Sequence, residues 1–133
     1  YLAETFKDAG LAPQNDAERG AYYRWLFFAA GPLELALSLR MLKFEVTAEH
    51  EKSLGCGNPQ ATLDVLAQVV SSNRYICGER FTAADVYVGS HISFGTRFGI
   101  FEERPEFTAY LERVLNRPAK LKADEIDNLL MNK

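Results

Sequence analysis

The chain has 133 residues, 47% of them apolar and 25% charged, and a net charge of -3. That length supports one domain with a sizeable core rather than two, and the mixture excludes a disordered tail. No basic block offers a phosphate-neutralising face, which excludes a nucleic-acid partner, and the longest stretch nearly free of charge, Trp25 to Leu39, is too interrupted by Glu34 and Gly31-Pro32 to span a bilayer. Two cysteines, Cys56 and Cys77, are too few for a disulfide scaffold or a four-ligand zinc site. They read as small hydrophobes of a reducing cytoplasm, so a cytoplasmic, metal-free protein is expected.

In chain order, "YLAETF" sets Leu2 and Phe6 four apart with Ala3 beside them, the spacing of the last turns of a helix. The chain is therefore expected to be the C-terminal piece of something longer. "KDAGLAPQN" reads as a linker around Gly10 and Pro13. Asp16 is the expected cap of a long helix reaching Phe44. Its apolar face carries Tyr22, Trp25, Leu26, Ala29, Leu33, Ala36, Leu37, Met41 and Phe44. Pro32 lacks the amide hydrogen a helix interior needs, so a kink is expected at Gly31-Pro32.

"EVTAEHEKSLGCGNP" reads as a polar connection that ends with Asn58 as N-cap and Pro59 at the first helical position. The next helix buries Leu63, Leu66, Val69 and Val70. Another runs from about Thr82 to Phe98, and a third follows Pro105 with Phe107, Tyr110, Leu111, Val114 and Leu115 on one side. "NRPA" breaks it before a last helix carrying Ile126, Leu129 and Leu130. Nothing alternates at period two over strand length, so the fold class is all-α, a bundle of about five helices.

The entry to the central helix, "GERFTAADVYVG", has the residues of a capping box. The Thr82 hydroxyl can accept from the Asp85 amide, and the Asp85 carboxylate can reach back to the Thr82 amide. Phe81 before the cap and Val86 after it form a hydrophobic staple. Asp85 also has a catalytic-acid reading, but its neighbours supply no base or metal, and the structural reading is preferred.

That joint resembles the one opening the core helix in the C-terminal all-helical domain of the cytosolic glutathione transferases. "YICGERFTAADVYVG" and "RPEFTAYLERVLNRPAKLKA" resemble bacterial members in particular, and "YLAETF" with "GLAP" resembles the end of the family's thioredoxin-like domain and its linker. The resemblance covers nearly the whole chain. It implies that residues 1–15 end a thioredoxin-like domain and that residues 16–133 form the helical domain. It implies a detoxifying transferase that conjugates glutathione, as co-substrate, to hydrophobic electrophiles, working as a homodimer. The thiol-activating Ser, Cys or Tyr would lie in the thioredoxin-like domain, leaving no catalytic residue here and this segment inactive alone. An alternative of another class is a non-catalytic, transferase-like protein-interaction module.

The candidate ligand residues lie on the long helix. Glu34 is the only charge between Arg24 and Arg40, with Ala30, Gly31, Leu37 and Ser38 where a helical partner would stand. A carboxylate in such surroundings is costly unless paired or facing a ligand. By alignment with the family it falls at the glutathione cleft, where it can hold the γ-glutamyl ammonium; its other reading is a solvent or dimer-interface residue. Phe27, Gly31, Glu34 and Ser38 share one stripe at helical spacing. Phe27 and Phe28 either line an apolar electrophile pocket or belong to the core. Trp25 is expected in the core rather than in an aromatic cage with Tyr22 and Tyr23, and His91 as a packed or partly exposed histidine rather than a base, with no Ser, Cys or Asp partner at helical spacing.

Overall fold

Burial of apolar faces at three- and four-residue spacing gives an all-helical bundle in the computed structural model, which describes residues 1–131. Helix α1 (Leu2–Thr5) and a 3-10 turn (Lys7–Ala9) precede α2 (Asp16–Phe28), a π turn (Ala29–Leu33) and α3 (Glu34–Met41). They are followed by α4 (Ala48–Glu51), α5 (Pro59–Ser72), α6 (Ala83–Arg97), α7 (Pro105–Leu115) and α8 (Pro118–Met131). Among the described residues the one β pairing is an isolated bridge between Tyr75 and Gly78.

The core is built by Trp25, Ala29, Leu33 and Leu37 from α2 through α3, Leu63, Leu66 and Val70 from α5, Val88 and Ile92 from α6, and Phe107 and Tyr110 from α7. Helix α6 lies at the centre, packed on α2, the π turn and α7. Its small face makes that closeness possible. A Cβ on Gly89 would meet Val114 Cγ1 at 2.9 Å, and one on Gly95 would run into the Phe101 ring.

Three features differ from the sequence reading, each for a local reason. The cap of α2 is Asn15, not Asp16. Asn15 has extended backbone, and its side chain accepts from the Glu18 amide at 2.9 Å, while Asp16 is the first helical residue, where its charge meets the helix dipole. The expected polar connection holds the short α4, capped by Thr47, whose hydroxyl accepts from the His50 amide at 3.4 Å. The long helix is not one helix: Pro32 cannot donate, and the chain answers with a π turn in which the Glu34 amide reaches the Ala29 carbonyl. Helix α3 then ends at Met41, leaving Met41 and Phe44 exposed rather than in the apolar face.

Asp85 does more than cap. It is 0% exposed. Its Oδ2 accepts from the Thr82 amide at 2.8 Å and lies 3.1 Å from the Thr82 hydroxyl. Its Oδ1 accepts from the Ile76 amide at 2.7 Å and the Tyr110 hydroxyl at 2.9 Å. One carboxylate thus ties the loop before α6, the α6 N-terminus and α7 together. Burial and the neighbouring Asp85 push the Tyr110 phenol far above its ordinary range, so it stays a donor. Phe81 finds ring partners in Tyr75, edge-on at 5.6 Å, and in the Arg117 guanidinium, while Val86 stands exposed, so little apolar burial accrues on its side of the expected staple.

Candidate functional site

The π turn decides where Glu34 points. A widened turn adds about one residue, which rotates everything after it by roughly 100° relative to a continuous helix. The regular stripe through Phe27, Gly31, Glu34 and Ser38 is therefore split. Phe27 stands 74% exposed before the turn and lines no groove with Glu34. Phe28 is half-buried with its ring edge-on to Trp25 at 5.2 Å, on the rim of the core. Gly31 faces open space. After the turn, Glu34 and Ser38 reach the gap between α3 and α6.

That gap is an open groove of about 350 Å³. Glu34, Leu37, Ser38 and Met41 form one side, and Ser90, His91 and Phe94 form the other. A larger polar cavity, about 550 Å³, lies at Glu4, Lys7, Gln14 and Arg19 beside the linker. It holds none of the candidate ligand residues. The α3–α6 groove pairs an apolar lining with a few convergent polar groups, the composition of a small-molecule site.

Its central feature joins two residues 57 apart in the chain: His91 Nε2 lies 2.8 Å from Glu34 Oε2. His91 Nδ1 donates to the Tyr87 carbonyl at 2.9 Å, because a carbonyl can only accept. The Tyr87 ring stands edge-on to the imidazole at 4.7 Å. The Nε2 contact is a hydrogen bond when the ring carries its second proton, and the pair is then an imidazolium–carboxylate pair. His91 is nearly buried, whereas the Glu34 side chain is 59% exposed. The buried member is thus fixed and aims the exposed one. Among the described residues Glu34 Oε1 has no hydrogen-bond partner and opens to solvent.

Among the described residues no second histidine–carboxylate pair joins two helices in this way. Among the described residues no three His, Cys, Asp or Glu gather as a metal site. Burial pushes the Cys77 thiol up to about 11, and the Cys56 thiol is raised for the same reason, so neither is poised as a thiolate. Asp85 is spent on four donors inside the core. The sequence singled out Glu34 and Ser38. It missed the pairing with His91 and the contributions of Ser90 and Phe94, although a lone histidine midway along a helix whose charges, Asp85 and Arg97, lie at its ends was a usable signal.

Comparison with known proteins agrees with the architecture. The family model for the glutathione S-transferase C-terminal domain matches residues 56–118. The chain is similar to glutathione S-transferase GstA of Escherichia coli O157:H7, 28% identical over 120 residues, covering 89% of this chain and 59% of that protein. It is similar to a glutathione S-transferase of Hyoscyamus muticus, 33% identical over 144 residues, covering 94% and 65%. It is also similar to glutathione S-transferase A of Pleuronectes platessa, 28% identical over 128 residues, covering 90% and 57%. The chain spans about six-tenths of the length of these relatives. Three different organisms match at comparable identity, so a bacterial type is not singled out. No helix of the described residues is long and apolar enough to cross a membrane.

Proposed function

Because this chain belongs to the glutathione S-transferase family through its C-terminal helical domain, we propose that its α3–α6 groove forms part of the wall at which glutathione is conjugated to hydrophobic electrophiles. Residues 16–133 are the helical domain on this reading, and residues 1–15 are the end of a thioredoxin-like domain and the linker out of it. Glutathione is the co-substrate, its thiol is activated by a residue of that other domain, and the molecule works as a homodimer.

One observation carries the reading. Glu34 presents a carboxylate to a groove with a mainly apolar lining, with Oε2 2.8 Å from His91 Nε2 and Oε1 without a hydrogen-bond partner among the described residues. An open carboxylate oxygen is an acceptor for a ligand ammonium, and the γ-glutamyl end of glutathione carries one. Leu37, Met41 and Phe94 supply the apolar side against which an aromatic or alkyl electrophile can lie.

In the full-length protein, Glu34→Ala is expected to raise KM for glutathione by roughly tenfold, the low end for a charge-assisted hydrogen bond at an exposed site. Steady-state conjugation to a chromogenic aryl halide and retention on immobilised glutathione measure it. The 133-residue chain alone is expected to give no turnover. An unchanged KM removes Glu34 from the site. A full-length protein that neither binds nor conjugates glutathione leaves the interaction-module reading in its place.

A further inference from the structure

Arg80 stands in the loop that leads into α6, and its guanidinium gathers acceptors from two distant places. Nε and Nη2 donate to Glu18 Oε1 at 3.0 Å and Oε2 at 2.8 Å, a bidentate pair on the first turn of α2. Nη2 also donates to the Ala12 carbonyl at 2.6 Å, and Nη1 donates to the Gly10 carbonyl. Two further bonds hold the same stretch. The Ala83 amide donates to the Leu11 carbonyl at 3.0 Å, and the Gln14 amide donates to Glu18 Oε2 at 2.6 Å. Gly10 adopts left-handed backbone, φ 65°, which turns the chain so that these carbonyls face Arg80.

This is unlike a surface ion pair, whose two long side chains hold only each other. Both partners are largely shielded, and hydrogen bonding from Arg80 holds the Glu18 carboxyl below the ordinary carboxylate range. A planar fork reaches all four acceptors at once; an ammonium does not. A segment that composition alone marks as a linker is stapled at four positions: Gly10 and Ala12 to Arg80 in the loop before α6, Leu11 to the first amide of α6, and Gln14 to Glu18 on α2.

We propose that Arg80 is a positioning residue that turns residues 10–14 into a fixed strut and so sets the angle between the segment before the linker and the α3–α6 groove. The catalytic consequence, though not the strut itself, rests on the function proposed above. Conjugation requires the activated thiol to meet the electrophile across the two halves, and a misplacement on the order of 1 Å costs rate heavily.

The test is Arg80→Ala and Arg80→Lys in the full-length protein, read by amide hydrogen exchange and steady-state kinetics. Arg80→Ala is expected to speed exchange at the Gln14 and Ala83 amides, the two that bond within the strut, by about tenfold or more, with the amides of α5 and of α6 beyond its first turn unchanged. At a temperature where circular dichroism is native, kcat is expected to fall by roughly fivefold, with KM for glutathione within about twofold. Arg80→Lys is expected to recover little of either. Unchanged exchange at those two amides overturns the strut, as does loosening of α5 and the rest of α6 to the same extent. Faster exchange with unchanged kcat overturns the positioning role. If the full-length protein conjugates nothing, the proposed function fails and the exchange measurement alone decides the strut.

Discussion

Asp85→Ala is expected to lower the stability of this domain by about 3–5 kcal/mol, among the largest effects of a single polar substitution. The side chain is fully buried and faces donors on both oxygens: the Ile76 and Thr82 amides and the Thr82 and Tyr110 hydroxyls. Alanine leaves at least three of them without an acceptor in the core, at roughly 1–3 kcal/mol each before relaxation, and removes the helix cap, worth about 1 kcal/mol. Water entering the vacated space offsets part of this, which brings the sum down to the stated range. Asp85→Asn keeps the shape but turns an amino group toward one set of donors, so about 2–3 kcal/mol is expected. Tyr110→Phe removes one donor and leaves the carboxylate three, for about 1–2 kcal/mol. Denaturant unfolding followed by circular dichroism gives all three values. The order Ala worst, then Asn, then the tyrosine variant is the signature of a hub. If Asp85→Ala stays within about 1 kcal/mol of the parent, the carboxylate is only a local cap.

The same residue marks how far the sequence could be read. Thr82 and Asp85 are three apart, and a spacing of three at a helix start is a local pattern with a local cause, so it was legible. Ile76 and Tyr110 reach Asp85 from 9 and 25 residues away. Nothing in their own neighbourhoods announces that destination, because it is set by how α7 lies on α6. Glu34 was legible as an anomaly, a charge on an apolar helix, but its partner was not. His91 has its own local acceptor in the Tyr87 carbonyl and looks complete by itself. The π turn was half legible. Pro32 signalled a disturbance, yet proline can produce a bend or a widened turn, and only the second rotates Glu34 away from the Phe27 stripe. Asn15 against Asp16 is a choice between two good caps one residue apart, decided by the Asn15 bond to the Glu18 amide. Helix α8 shows the converse: its periodicity made a helix, but none of its described residues is buried.

Gly95→Ala carries the second large effect, and its sign separates packing from helix propensity. Position 95 lies inside α6, where alanine is ordinarily preferred over glycine by about 1 kcal/mol. Here the added methyl would sit 2.7 Å from Phe101 Cγ and closer still to the ring edge. The ring cannot move aside cheaply. Phe101 is buried against the core, its amide and that of Ile100 donate to the Gly95 carbonyl at 3.0 and 2.8 Å, and its ring lies near Phe107. Overpacking against a ring this close costs about 2–3 kcal/mol, and the propensity gain of about 1 kcal/mol offsets part of it, so net destabilisation by about 1–2 kcal/mol is expected in denaturant unfolding. Gly20→Ala, inside α2, is the matched control. Beyond its own helix and chain neighbours a methyl there meets nothing within 4 Å, and the position needs no left-handed backbone, so it is expected to be neutral or to stabilise by up to about 1 kcal/mol. Trimming the obstacle, as in Gly95→Ala with Phe101→Leu, should recover part of the loss. A Gly95→Ala protein at least as stable as the parent would mean that the α6–α7 loop yields freely. That result would also bear on the groove, because His91 stands one helical turn before Gly95. A loop that gives way without cost leaves His91 on Glu34, whereas a displaced α6 draws the imidazole off the carboxylate and, on the function proposed above, weakens glutathione retention along with the fold.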